Sequence, residues 1–401
     1  MTVVEERPVE TEEHYVRERG QERLKQLRSR RGARARRTQE RLRDASQGKL
    51  VWHRFRKHKL APIALALLVL LYVIALFADV VAPYRVQQQF PEQQYSPPTL
   101  VRIVDRDGGW HLPFIYETET ALDPDTFRYE TVIPEDAERI PVQLFVKTTP
   151  YKVLGLIPAD RVLFGTPEGA QPVLLFGADN LGRDLFSRIV VASRVSLFVG
   201  LAGVGISFVL GVVLGGISGY FGGRIDSVIQ RIIDFIISIP LIPLWMALSA
   251  AIPRSWSGIQ TYLAITVILS LVGWTNLARV VRGKLMSLRE EDYVTAARIS
   301  SASHSKIIGR HLLPGVTSFL IVHVTLAIPG MILGETTLSF LGLGITPPDV
   351  SWGTLLQQAQ DVTVVANYPW LLLPAVVLVY AVVLFNFVGD GLRDAADPYS
   401  R

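Results

Sequence analysis

Six long stretches of hydrophobic positions dominate the chain. They run from Leu60 to Ala82, Val195 to Tyr220, Val228 to Ala251, Tyr262 to Val281, Val316 to Glu335 and Trp370 to Val388. About 20 mostly apolar residues cross the hydrocarbon core of a bilayer, so the pattern predicts six transmembrane helices. Polar interruptions are few: Asp79 in the first, Arg231 and Asp234 in the third, Asn276 and Arg279 in the fourth, His323 and Pro329 in the fifth. Residues 83–175 read differently. They hold 12 of the 24 prolines, which disfavours long helices there. Residues 101–112 alternate as strand, turn at Asp107, Gly108 and Gly109, then strand, and Val142 to Val146 is a further strand candidate. A small β-rich insert is the expectation. Beyond it, Asp179 is placed to cap a helix that carries Leu181, Leu185 and Ile189 on one face.

Composition agrees with a membrane body. Of 401 residues 49% are hydrophobic and only 19% charged, with a mean hydropathy of +0.30. A disordered chain, a collagen or a single small soluble domain is thereby excluded. There is no cysteine, which removes disulfides, Cys-based metal centres and a cysteine nucleophile. Charge is unevenly spread: residues 1–60 hold 18 Lys/Arg against 9 Asp/Glu, and residues 83–188 hold 10 against 15. The loop between the fourth and fifth stretches carries Arg282, Lys284, Arg289, Arg298, Lys306 and Arg310, whereas residues 336–369 contain no Lys or Arg. By the positive-inside rule both termini and residues 282–315 are cytoplasmic, and residues 83–194 and 336–369 lie outside. Arg188, Arg194 and Arg254 run against that bias. The chain divides into a basic cytoplasmic segment 1–59, a first transmembrane helix 60–82, an extracytoplasmic insert 83–175 and a membrane domain 176–398. The basic segment is too long and too mixed in charge for a signal peptide, so the first helix reads as an uncleaved anchor. Its arginine-rich part, Arg28 to Arg43, suits binding to anionic lipid or nucleic acid, but a solvated tail that reinforces insertion is the simpler reading.

Candidate chemistry is sparse. Gly48-Lys49 and Gly283-Lys284 are each followed by leucine, so there is no P-loop, and no metalloprotease or serine-hydrolase motif occurs. The chain reads as no enzyme by itself and as binding no cofactor directly. Gly203, Ser207, Gly211, Gly215 and Gly219 recur every four residues, a stripe that lets another helix approach closely. It serves either a sliding interface or ordinary bundle packing. Asn276 and His323 are polar groups inside apolar runs and are candidates to line a solute path, although satisfaction by a neighbouring helix is the commoner use. In the loop 282–315, Tyr293 to Ile299 reads as a short helix with small Ala296 and Ala297, which suits entry into a cleft of another protein or rest on the membrane surface. Ser303 is placed to cap a second helix that Pro314 limits.

This loop resembles that of bacterial ABC importer permeases, and most of all the second permease of the dipeptide/oligopeptide (peptide/opine/nickel) class. Ala296, Ala297, His311, Leu313 and Pro314 match its signature. Thr295 stands where the pattern has glutamate and Ser301 where it has glycine. Gly182, Arg183, Asp184, Ser187 and Arg188, then Gly219 to Gly223, Leu338 to Gly344, Pro347, Pro348, Ser351 to Gly353 and Gly389 to Asp394 resemble further stretches of the family in order. The match covers about 50–82 and 175–398.

The resemblance implies an all-α integral membrane protein of the type I importer fold, a five-helix core with an added N-terminal helix. It also implies the bacterial inner membrane, a second homologous permease, two cytoplasmic ABC ATPases and an extracytoplasmic solute-binding protein as partners, with membrane lipids around and no nucleic acid. ATP would be used by the ATPases. Tyr293, Thr295, Ala296, Ala297, Arg298, Ser301, His311 and Pro314 would form the ATPase-coupling loop. Thr295 would lose one polar contact there, and Ser301 would strain the turn or change its geometry. Peptides are the expected cargo, with oligosaccharides or nickel complexes as the alternative; a membrane-tethered sensor or an autonomous channel would need no ATPase.

Overall fold

The computed structural model describes residues 47–125, 128–253 and 255–396. The arginine-rich stretch and Arg254 lie outside them. The chain forms two compact units, Met1–His58 with Asp394–Arg401, and Lys59–Arg393. Among the described residues the first unit holds helix α1, Gln47–Phe55, on which Trp52 stacks against Phe55 at 5.7 Å.

The second unit begins with α2, Ala61–Leu76, apolar throughout and started by proline in its first turn. Its 16 residues rise about 24 Å, short of the ~30 Å hydrocarbon layer. At Phe77 the helix breaks, and it resumes as α3, Ala78–Val81. The expected span 60–82 is therefore two pieces. Seven strands follow: β1 Arg102–Val104, β2 Trp110–Tyr116, β3 Glu119–Leu122, β4 Tyr129–Val132, β5 Arg139–Pro141, β6 Gln143–Val153 and β7 Ile157–Gly165. They make an antiparallel sheet in the order β1-β2-β5 and the two pairs β3-β4 and β6-β7.

The long helix α4, Leu185–Phe221, has 37 residues and ends where Gly222 turns to φ +66°. Its cap is Asp184, whose carboxylate accepts the Ser187 N–H at 2.8 Å, and not Asp179 as expected. Asp179 is turned inward instead. It accepts the N–H groups of Leu181 and Arg183 and the guanidinium of Arg183, so the chain loops there rather than coils. Leu185 and Ile189 are buried on the helix, but Leu181 precedes it and is exposed.

The expected single span 228–251 is a bent pair. Helix α5, Gly223–Ser238, meets α6, Leu241–Ala250, at 87°. Pro240 explains the break: it offers no N–H, and it forces Ile239 into an extended conformation, φ −89° and ψ 130°. Helix α7, Gly258–Leu288, opens with a Ser257–Gln260 capping box. The loop helix α8 is Asp292–Ile299. From His304 the backbone stays helical to Phe340, as α9 (His304–Lys306), a π-turn (Ile307–Leu312) and α10 (Leu313–Phe340). Ser303 sits at the helix start but makes no side-chain cap, and Pro314 does not end the helix. The Leu313 N–H reaches back five residues to the Ile308 carbonyl, and this wider turn accommodates the proline that follows. Residues 341–368 lie between the spans, with α11 at Trp352–Gln357 and α12 at Val362–Asn367, before a turn at Pro369–Leu372 that leads into α13, Leu373–Ala396.

Among the described residues four helical segments are long and apolar enough to cross a membrane: 185–221, 258–288, 304–340 and 369–396. The bent pair makes a fifth if it counts as one span, and α2 is a shorter apolar helix. Helix α4 is the central one, packed between α7 and α10.

Candidate functional site

The small-residue stripe decides how α4 packs. A Cβ on Gly211 would lie 2.9 Å from the Leu277 side chain, one on Gly215 2.5 Å from the Ala278 carbonyl, and one on Gly219 2.7 Å from the Arg282 carbonyl. Any side chain there would push α7 away. Higher up, Ser207 Oγ donates to the Ser270 carbonyl at 3.2 Å, Ser270 Oγ donates to the Gly203 carbonyl at 3.0 Å, and Gly203 faces the Met331 sulfur. The stripe thus meets α7 along most of its length and α10 at its end.

The loop helix α8 hangs below this contact by one apolar residue. Val294 is wholly buried in a cluster with Tyr220, Leu277, Val281, Leu285, Ile307 and Leu312, and Ala297 and Ala302 pack at its edge. Tyr293 is 44% exposed, and Thr295, Ala296 and Arg298 are exposed as well. Three contacts fix the ends of the loop. Tyr220 Oη lies 2.9 Å from His304 Nδ1, the Arg298 guanidinium stacks 5.4 Å from the Tyr220 ring centroid, and Arg289 donates to the Gly219 carbonyl at 3.3 Å.

Ser301 has φ +57°. The Ala302 N–H bonds to the Ala297 carbonyl at 3.1 Å and the Ser301 N–H to the Arg298 carbonyl at 3.0 Å. This is the Schellman pattern that ends a helix on a left-handed residue, usually glycine. Serine therefore adopts the glycine geometry and bears its strain, about 1–2 kcal/mol for an L residue. Of the other expected loop residues, half-buried His311 and exposed Pro314 lie on the π-turn and the start of α10, not on α8.

Asn276 and His323 come together on the wall of one cavity of about 430 Å³. Ser207, Phe208, Trp245 and Met331 share that wall. Leu277 belongs both to the wall and to the cluster that holds Val294, and Phe208 lines the wall and packs against that cluster, so these two side chains join the loop to the cavity.

Two features escaped the residue pattern. Glu335, which ends the fifth apolar run, is fully buried. Ser196 Oγ donates to its Oε2 at 3.2 Å and Ser339 Oγ to its Oε1 at 2.6 Å. Each serine in turn accepts a backbone N–H, from Trp352 at 3.1 Å and from Ile345 at 3.0 Å. The carboxylate so fastens the segment before and within α11 onto α4 and α10. The lone acid closing an apolar run was the available signal. The second feature is the acid pair before α4. Burial raises Asp179, but the Arg188 and Arg183 guanidinium groups outweigh it and hold its carboxyl below the usual range. Burial pushes Asp184 up to about 6, and its Oδ1 has no partner.

Comparison with known proteins follows these features closely. A family described as binding-protein-dependent transport system inner membrane component matches residues 211–401, and one described as the N-terminal transmembrane domain of oligopeptide transport permease C matches residues 46–98. The oligopeptide transport system permease protein OppC of Bacillus subtilis is 38% identical over 227 residues, 56% of this chain and 72% of that protein. The dipeptide transport system permease protein DppC of the same organism is 40% identical over 227 residues, 56% of this chain and 69% of that protein. DppC of Lactococcus lactis is 34% identical over 353 residues, 86% of this chain and 89% of that protein. A solved chain of a methionine ABC transporter in inward-facing conformations aligns over 53% of this chain and 97% of its own, at 21% identity and a TM-score of 0.43.

Proposed function

Since the chain belongs to the family of ABC-transporter permeases that includes the oligopeptide and dipeptide transport proteins, we propose that it imports peptides across the bacterial inner membrane together with a second homologous permease. It is a transport subunit; ATP hydrolysis belongs to two partner ATPases below it, and a solute-binding protein delivers cargo from the other side. The names of the relatives favour peptides over oligosaccharides or nickel complexes. In this reading α2 with α3, α4, the bent pair, α7, the helix 304–340 and α13 are the six transmembrane helices, five of them the core. Both termini and the loop 282–315 are cytoplasmic, and the strands form the extracytoplasmic insert.

The observation that carries the reading is α8. One face is anchored by Val294, and the other presents Tyr293, Thr295, Ala296 and Arg298. A short rigid helix of small residues, fixed to the membrane core and open on its far side, suits a groove on an ATPase. Closure of the ATPases would press on α8, Leu277 would pass the displacement to the cavity wall, and Asn276 and His323 would face the solute there. The Gly203–Gly219 stripe brings α4 and α7 into close contact, with only the Ser207 and Ser270 hydroxyl bonds to exchange when the two helices shift.

The test is Ala296→Trp. Ala296 is exposed, so the bulky residue leaves the fold intact but blocks docking. Peptide uptake should fall by about tenfold or more, the equivalent of ~1.4 kcal/mol of lost docking energy. The amount of protein in the membrane should not change. Undiminished uptake would refute the assignment of α8.

A further inference from the structure

The β6-β7 hairpin ends in five residues, Val153 to Ile157, whose side chains are all apolar apart from Gly155. Leu154 is 42% exposed, Leu156 80% and Ile157 64%. The Leu156 N–H bonds to the Val153 carbonyl at 3.0 Å, closing a four-residue turn. Its central residues Leu154 and Gly155 both have positive φ, +53° and +72°. Hairpin turns of this kind favour asparagine, aspartate or glycine at both centres, because a Cβ is strained there. A leucine at the first centre trades backbone comfort and solubility for an apolar tip. Water offers no reason for that choice.

The contacts of the hairpin fix where the tip lies. The Leu154 N–H donates to Asp79 Oδ2 at 3.0 Å, and Arg194 of α4 binds the same oxygen at 2.9 Å. Asp79 is in α3, directly after the apolar helix α2. Further along the chain, Arg85 donates to the Thr149 carbonyl at 3.2 Å and to the Pro150 carbonyl at 2.7 Å. As the chain leaves the helix, from 79 to 85, it meets the hairpin first at its tip and then at its stem. The tip is thus the part of the insert nearest the membrane. Beside Asp79 the apolar surface of α2 continues through exposed Val69, Leu70, Val73, Leu76 and Phe77. Immediately behind the tip come Tyr151 and exposed Lys152, the amphipathic pair that membrane interfaces favour.

We propose that the tip Leu154–Ile157 is seated in the interfacial layer of the bilayer, its side chains among lipid acyl chains and Lys152 at the headgroup phosphates. The insert would then rest on lipid as well as on the helices. This goes beyond transport and holds for any cargo. By contrast Trp110 and Leu112, 78% and 84% exposed, lie on β2, which pairs with β1 and β5.

The chain contains no cysteine, so single cysteines can be placed and spin-labelled without background. Leu156→Cys, Leu112→Cys and Val69→Cys in the full chain, reconstituted in phosphatidylcholine–phosphatidylglycerol vesicles, are compared by collision with oxygen and with a water-soluble nickel chelate. All three sites are exposed, so none threatens folding. Oxygen access at 156 should approach that at 69, and nickel access should be severalfold lower than at 112. Nickel access at 156 equal to that at 112 would overturn the proposal, because the tip would be in water. Low access to both reagents would also overturn it, because protein would then cover the tip. A label at 69 that reads as water would refute the membrane placement of α2 and the anchor together.

Discussion

Asp179 and Asp184, five residues apart, are driven in opposite directions. Asp179 gains two guanidinium partners, and Asp184 gains burial with one oxygen left unpaired. The sign of the effect on stability follows. An unfolded aspartate titrates near 3.9. Asp184 titrates at about 6 when folded, so the folded state binds more protons between those values. Its contribution is therefore present below about 4 and is lost as pH rises through 6, on the order of 3 kcal/mol in all. Asp179, held low, contributes above its unfolded value and loses that contribution as pH falls. Thermal unfolding of the protein in detergent should show stability falling between pH 4 and 6, and Asp184→Asn should flatten that slope. An unchanged slope in the variant would remove Asp184 as its cause. Which aspartate caps α4 was not legible in the sequence: both sit in one polar run, and only the arginines that draw Asp179 inward decide it. Two of the three arginines that run against the positive-inside bias are paired, Arg188 with Asp179 and Arg194 with Asp79, so neither stands as a bare charge.

At the scale of elements, hydrophobic periodicity located the long helices well, because a run of 20 apolar residues has few other uses. It located their breaks less well. A single run from 228 to 251 hides a bend of 87°, although Pro240 and Pro243 stood in it as signals. Pro314 misled in the other direction, because a π-turn absorbed it. The short helix at 293–299 was legible from its small residues, whereas the burial of Val294 depends on four other elements and was not. The fastening of α11 depends in part on groups 139 and 156 residues apart in the chain, and no local pattern encodes that. It yields its own prediction. Glu335→Leu removes the acceptor of two buried hydroxyls, at a cost of about 1–3 kcal/mol for each left unpaired. Amide exchange over residues 341–357 should accelerate in that variant and remain close to the parent in Glu335→Gln, which keeps an acceptor. Equal protection in all three proteins would show that packing, not Glu335, holds the segment.

For the whole second unit, the design is a small-residue seam between α4 and α7 with a cavity on one side and α8 hung from its end. Glycines and Ser207 line the seam, Asn276 and His323 line the cavity, and Leu277 belongs to both the cavity wall and the cluster around Val294. In the proposed function, a push on α8 would change the shape of the cavity through these contacts. The sequence was enough to expect the small-residue stripe and the loop helix, but that Asn276 and His323 line one cavity was not legible, since they lie on different helices. The most direct measurement is a photo-crosslinking residue placed at Ala296 in native membranes. The account predicts one dominant adduct, with an ATPase subunit, formed from the exposed face of α8. Adducts with lipid alone, at a normal level of the permease, would contradict it.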